Sequence, residues 1–185
     1  MKSAVCMIAS VLALAACNKG PEVDLHNATG NQVVQAVKQS GIMTSDTTIE
    51  PGLWQSKVTV QEMNIPGMPP EMAGRLRAMM AERQQRTSGH CVTPEEVKKP
   101  KEDFFGGEDK SCHYARFAMG SGKIDIEMTC REEETTRTTA MSGTYTPTSY
   151  SMDVSSQGTG GERGGMSMKM HVDSRRVGAC SATDD

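Results

Sequence analysis

Lys123-Ile124-Asp125-Ile126-Glu127-Met128-Thr129-Cys130-Arg131 alternates without a break. Ile124, Ile126, Met128 and Cys130 share one parity, and Asp125, Glu127, Thr129 and Arg131 share the other, so an extended chain places every apolar side chain on one face. The segment reads as a strand with one wet face. A slip of one residue would expose the whole apolar set, so the register is strongly specified.

The same alternation spreads outward in both directions. His113 to Met119 joins this strand through Gly120-Ser121-Gly122, where glycine supplies the positive φ of a tight turn. Downstream, Thr135 to Tyr145 and Tyr150 to Ser156 flank the bend Thr146-Pro147-Thr148-Ser149. Met166, Met168, Met170 and Val172 then form one face of a last strand, opposite Ser167, Lys169, His171 and Asp173. Upstream, Leu53 to Met63 alternates, and a short strand ends near Cys91. About seven consecutive, turn-linked strands with one apolar face predict a mainly β domain, an antiparallel meander sheet or open barrel.

Two helices interrupt it. Pro69-Pro70-Glu71 opens a helix to Arg86 with Met72, Leu76, Met79 and Met80 at helical spacing, a stripe expected to cover the sheet. Thr93-Pro94-Glu95-Glu96 is a capping box with Pro at the first helical position, and Pro100 ends the short helix it begins. The Gly158 to Gly165 run reads as a flexible hairpin loop; it lacks a phosphate-binding glycine spacing.

With 36% apolar and 4% aromatic residues but 15 Met in 185, the core must be built from Met, Val, Ile and Ala rather than rings. A net charge of −3 with no basic stripe argues against a nucleic-acid partner.

The N-terminus carries an address. Met1-Lys2 and the apolar run Ala4 to Leu14 match a signal peptide over residues 1–16, and Leu14-Ala15-Ala16-Cys17 has the form of a lipobox. Cys17 is the expected lipidation site, giving a lipid-anchored protein of the cell envelope. In lipoproteins of this kind Asn18, rather than Asp, after the cysteine favours the periplasmic face of the outer membrane. Residues 17–49 read as a tether holding one helix, Asn31 to Lys38, with Thr29 or Asn27 as N-cap and Gly41 beyond its end; this helix either docks on the domain or spaces it from the membrane. Residues 50–181 form the β domain and 182–185 a tail.

Six cysteines are encoded. Cys6 leaves with the signal and Cys17 takes lipid, so Cys91, Cys112, Cys130 and Cys180 remain, an even number in an oxidising compartment. Three connectivities are open. The favoured one joins Cys91 to Cys112, around the capped helix, and Cys130 to Cys180, tying the C-terminus to a central strand. A zinc site from His90-Cys91 and Cys112-His113 is disfavoured, because adjacent strand residues point to opposite faces. No metal or cofactor is expected.

Pro51-Gly52-Leu53-Trp54, Ile65-Pro66-Gly67-Met68-Pro69-Pro70, Cys91-Val92-Thr93-Pro94-Glu95 and Arg175-Arg176-Val177-Gly178-Ala179-Cys180 together resemble the domain-of-unknown-function family 3617 (DUF3617), small exported proteobacterial proteins. The resemblance runs from Glu50 to Cys180 and brings no activity, ligand or catalytic residue.

The sequence contains no G-x-S-x-G, H-E-x-x-H or H-x-H, and His26, His90, His113 and His171 are scattered, so no catalytic residue is assigned. The expected role is non-catalytic, binding or structural. Partners are the membrane, through the N-terminal lipid, and either a protein or an apolar ligand. One alternative is a carrier of a small apolar ligand or lipid, for which a hollow lined by Met68, Met72, Met79 and Met80 is the expected sign. A further alternative is Cu(I) binding by the thioethers of Met166, Met168 and Met170, which alternate onto one face.

Overall fold

A computed structural model describes residues 21–42, 49–84, 88–98, 111–132, 134–160 and 165–181. Its centre is an eight-stranded antiparallel sheet in the order β1-β4-β5-β6-β7-β8-β2-β3. The strands are β1 (Glu22–Thr29), β2 (Gly52–Asn64), β3 (Ser88–Val92), β4 (Cys112–Gly120), β5 (Lys123–Glu132), β6 (Thr135–Thr146), β7 (Ser149–Thr159) and β8 (Ser167–Gly178). The helices are α1 (Gly30–Ser40), α2 (Pro70–Gln84) and α3 (Pro94–Lys98). The meander is β4 to β8. β2 docks on its far side and β1 on its near side, leaving an open sheet rather than a barrel.

Register carries the alternation across the molecule. Ile126 faces Met141, Met141 faces Val154, Val154 faces Met170, and Met170 faces Val60. One face is thereby apolar from β5 to β2. The neighbouring positions Asp125, Ser142, Asp153, His171 and Thr59 form an equally continuous polar row on the other face.

The strand not foreseen is β1. It pairs with β4 along its length, from Glu22 opposite Gly120 to Thr29 opposite His113. Of the two roles open to the following helix, docking is the one observed: Val33 and Val37 of α1 are 0% and 3% exposed, packed with Val23, Ala28, Tyr114, Phe117, Ile124 and Ile126. Residues expected to belong to a tether therefore supply an edge strand and the helical cover of the core. Thr29 is the N-cap, in a capping box in which its N–H donates to Gln32 Oε1 (2.8 Å) and Gln32 N–H donates back to Thr29 Oγ1 (3.4 Å). Gly41 ends the helix in the left-handed conformation.

The α2 stripe does not behave as a sheet cover. Met72 and Met79 are 56% and 54% exposed, whereas Leu76 and Met80 are half-buried. The reason lies in the connection. β3 pairs with β2 only from Gly52 to Ser56, and α2, which packs on β2, bridges the chain from the far end of β2 back to β3. With its contacts concentrated on β2, the helix buries only part of its stripe.

The cysteine pairing also differs from the favoured one. The bonds are Cys112–Cys130 and Cys91–Cys180, with Cα separations of 4.0 and 5.5 Å. Cys112 and Cys130 are directly opposed in the β4–β5 hairpin, so each is the other's nearest possible partner. Cys91 faces Leu53 on one side of β2, while Gly178, just before Cys180, faces the same residue from the other. Both cysteines thus reach the start of β2. With all four committed, none is available to the Cys/His zinc arrangement.

Candidate functional site

The pieces of sequence that stand out around β2 meet in one corner. Gly52 has φ +145°, and a Cβ there would collide with the carbonyl oxygen of Gly178, so β8 crosses at a distance only glycine allows. Arg176 Nε donates to the carbonyl of Pro51 (2.8 Å), and Trp54 Nε1 donates to that of Glu50 (2.9 Å). Trp54 is buried and stacks on Tyr150 with ring centroids 5.9 Å apart. With the Cys91–Cys180 bond these contacts clamp β2, β3, β7 and β8 together.

On the polar face above this clamp lies a groove of about 460 Å³. Gln55 and Lys57 of β2, Asp173 and Arg175 of β8, Ser149 and Ser151 of β7, and Thr144 and Thr146 of β6 line it. They share a face because strand parity puts Gln55 opposite Arg175 and Lys57 opposite Asp173, with Ser149 and Ser151 next across the sheet. A smaller cavity of about 170 Å³ on the same face touches Asp125, Ser142, Asp153 and Lys169.

Between them sits the densest polar constellation. His171 Nδ1 is 2.7 Å from Asp153 Oδ1, and its Nε2 is 3.2 Å from Ser151 Oγ and 3.3 Å from Asp173 Oδ1. Ser151 Oγ donates to Asp173 Oδ1 at 2.9 Å. The bond to Asp153 raises the His171 pKa above its ordinary value, with Asp173 adding to the effect against partial burial. The Ser151 hydroxyl, and then the His171 ring and the Lys57 charge, hold Asp173 below the ordinary carboxylate range.

Serine, histidine and aspartate in hydrogen-bonding sequence invite comparison with a nucleophile relay, and the chemistry differs in one respect. A general base must be neutral and must accept the serine proton. Here Ser151 gives its proton to Asp173, and an imidazole between two carboxylates favours the charged form. The arrangement suits a fixed, charge-balanced surface for hydrogen bonding better than it suits acyl transfer.

Alternation puts Lys169, His171 and Asp173 on the polar side of the last strand, while the four histidines stand scattered along the sequence. The structure brings His171 together with Ser151, Asp153 and Asp173, and leaves His26, His90 and His113 exposed and apart from it. The available signal was parity: Ser151 and Asp153 on one strand of a hairpin, His171 and Asp173 on the next. Met68, Met72, Met79 and Met80 line neither cavity. Met168 and Met170 are half-buried on β8, with Met63 directly opposite Met168, whereas Met166 precedes the strand and is exposed. Among the described residues no group of three or more His, Cys, Asp or Glu is placed to hold a metal ion, and no helix is long and apolar enough to cross a membrane. The expected signal peptide over residues 1–16, the lipobox-like Leu14-Ala15-Ala16-Cys17 and the expected lipidation site Cys17 lie outside the described residues.

A family model described as "Protein of unknown function (DUF3617)" matches residues 49–180. No curated protein matches the chain, and no solved structure does. The match begins just before β2, leaving β1 and α1 outside it although both pack into the sheet and its core.

Proposed function

We propose the following for a chain that belongs to the DUF3617 family: it is a non-catalytic envelope lipoprotein, held by lipid on Cys17 at the periplasmic face of the outer membrane, that binds its partner through the polar groove. The observation that carries the binding role is the groove itself, a shallow hydroxyl- and charge-lined surface on rigid strands, set over a corner fixed by a disulfide and a buried tryptophan. The non-catalytic part is supported by the two carboxylates beside His171, which favour its protonated form, and by the Asp173 carboxylate that competes for the Ser151 hydroxyl. A fluorophosphonate probe should leave Ser151 unlabelled; stoichiometric labelling would overturn it. The address rests on the lipobox. Cys17→Ser should move the protein from the membrane to the soluble periplasmic fraction, and continued membrane association would defeat it.

A second reading is a carrier of a small apolar ligand or lipid, favoured by the half-buried face of Met152, Val154, Met168, Met170 and Val172. Native mass spectrometry of protein purified from its own envelope tests this, and an empty domain counts against it. Copper is favoured by the cross-strand pair Met63 and Met168, two thioethers beside Met170. A Cu(I) titration should then show a stoichiometric site lost in Met168→Ser; a featureless titration ends the idea.

A further inference from the structure

The floor of the groove belongs to a single crosswise row of the sheet. Stepping from strand to strand through paired residues, Glu22 leads to Gly120, Lys123, Thr144, Ser151, Asp173 and finally Lys57. That row starts beside the proposed anchor, because only Asn18 to Pro21 separate Cys17 from β1. Fully extended, so short a link reaches no more than about 17 Å. The row itself, at about 4.8 Å per strand, is on the order of 29 Å long. A lipid on Cys17 would hold the β1 end of this row at the headgroup layer, and the groove, toward the other end of the same row, meets that layer when the row lies flat along it.

The groove is also unbalanced in its hydrogen bonding. Arg175 and Gln55 are cross-strand neighbours, and Lys57 follows two residues along on the same face. Among the described residues neither Arg175 nor Lys57 stands in an ion pair at contact distance, while the Asp173 carboxylate is already engaged by Ser151 and His171. Donors are left over, and the Thr144 hydroxyl adds to them, whereas the Ser149 hydroxyl is taken up by Thr146 Oγ1 at 2.8 Å. An anion bearing several acceptor oxygens satisfies such a surface; an apolar guest does not.

We propose that the groove is a headgroup site, taking the anionic, phosphate-bearing headgroup of a lipid in the leaflet to which the chain is anchored, between Arg175 and Lys57. This rests on the lipid at Cys17 for the orientation of the sheet, and on the groove alone for its chemistry. Bound so, the domain lies along the membrane surface rather than projecting from it.

The test uses the mature chain carrying Cys17→Ser, which has no anchor, sedimented with phosphatidylcholine vesicles that contain or lack phosphatidylglycerol. Each basic side chain close to an anionic leaflet contributes on the order of fivefold to partitioning. Association should depend on phosphatidylglycerol, and Lys57→Gln/Arg175→Gln should lose on the order of tenfold or more. Arg131→Gln/Arg137→Gln, at the far end of the sheet, removes the same charge and should change little. Vesicle binding that is absent, or equally lost in both double variants, overturns the site. Inorganic phosphate that shifts the NMR signals of Lys57 and Arg175 without any vesicle binding assigns the groove to a soluble phosphate and also overturns it. Acylation of the wild-type chain is read separately by mass spectrometry. A chain that is unacylated yet binds phosphatidylglycerol through the groove refutes the anchor and keeps the site, whereas an acylated chain that ignores the vesicles does the reverse.

Discussion

The near half of the sheet, β1, β4 and β5, and the far half, β7, β8 and β2, carry the same alternation and use it differently. On the near half the apolar face lies under α1, and it holds the ring pair Tyr114 and Phe117, which meet edge to face at 5.9 Å. On the far half the corresponding face presents Met152, Val154, Met168, Met170 and Val172, all half-buried, and Val58, which is exposed. Complexity on that side moves to the polar face, where the groove and the His171 cluster lie. The same binary pattern thus gives a packed core where α1 covers the apolar face and, among the described residues, a half-buried face where α1 does not reach. Stability should concentrate in the near half, and chemistry in the far half.

The sharpest way to break this division is at Phe117, which is fully buried. Phe117→Ala should cost about 3–5 kcal/mol in urea unfolding. Met170→Ala, on a half-buried face able to repack, should cost clearly less. Equal losses would mean the far face is as well packed as the near one.

The disulfides follow, one in each half. In the loop-entropy model, Cys91–Cys180, with a separation of 89, is worth about 4.5 kcal/mol, and Cys112–Cys130, with a separation of 18, about 3 kcal/mol. Paired Cys→Ser variants should destabilise in that order. Peptide mapping without reduction should recover the same two links, and a Cys91–Cys112 peptide would refute the pairing. That pairing shows where the sequence was silent. Alternation made the strands from β2 to β8 legible one by one, and Gly120-Ser121-Gly122 made the β4–β5 hairpin legible, yet connectivity depends on which strands become neighbours across long connections. β2 lies beside β8, and no local signal in Leu53 to Met63 says so. The same gap hid β1, because Glu22 to Thr29 carries Asp24, His26 and Asn27 and pairs only through tertiary context. It hid the candidate site as well: each residue's face was readable, but the meeting of Ser151, Asp153, His171 and Asp173 needed the hairpin register.

A smaller effect tests whether α1 is integral to the near half. Thr29→Ala removes the capping box and should cost about 1 kcal/mol, because the helix it starts carries the fully buried Val33. A helix that merely spaced the domain from a membrane would lose its own order without lowering the unfolding midpoint of the sheet. Circular dichroism and tryptophan fluorescence of Trp54 report the two separately, and coincident transitions are expected.

The smallest effect is electrostatic and belongs to the far half alone. Asp153 and Asp173 favour protonated His171, so its pKa by NMR should lie above about 6.5 and fall in Asp153→Asn. The sign for stability follows from linkage. A raised histidine pKa stabilises the fold fully below the unfolded value, and that contribution disappears as pH rises through the raised one. Asp173, held low by Ser151 and His171, acts in the opposite direction: its contribution is present above the ordinary carboxylate range and is lost as pH falls through its depressed value. The two overlap in mildly acidic solution, so a shallow stability maximum should sit there and flatten in His171→Gln. Because the imidazole and both carboxylates reach solvent, added salt should flatten it too. If neither change moves the maximum, the cluster holds no net charge interaction, and the far half's polar face is simply a solvated sheet.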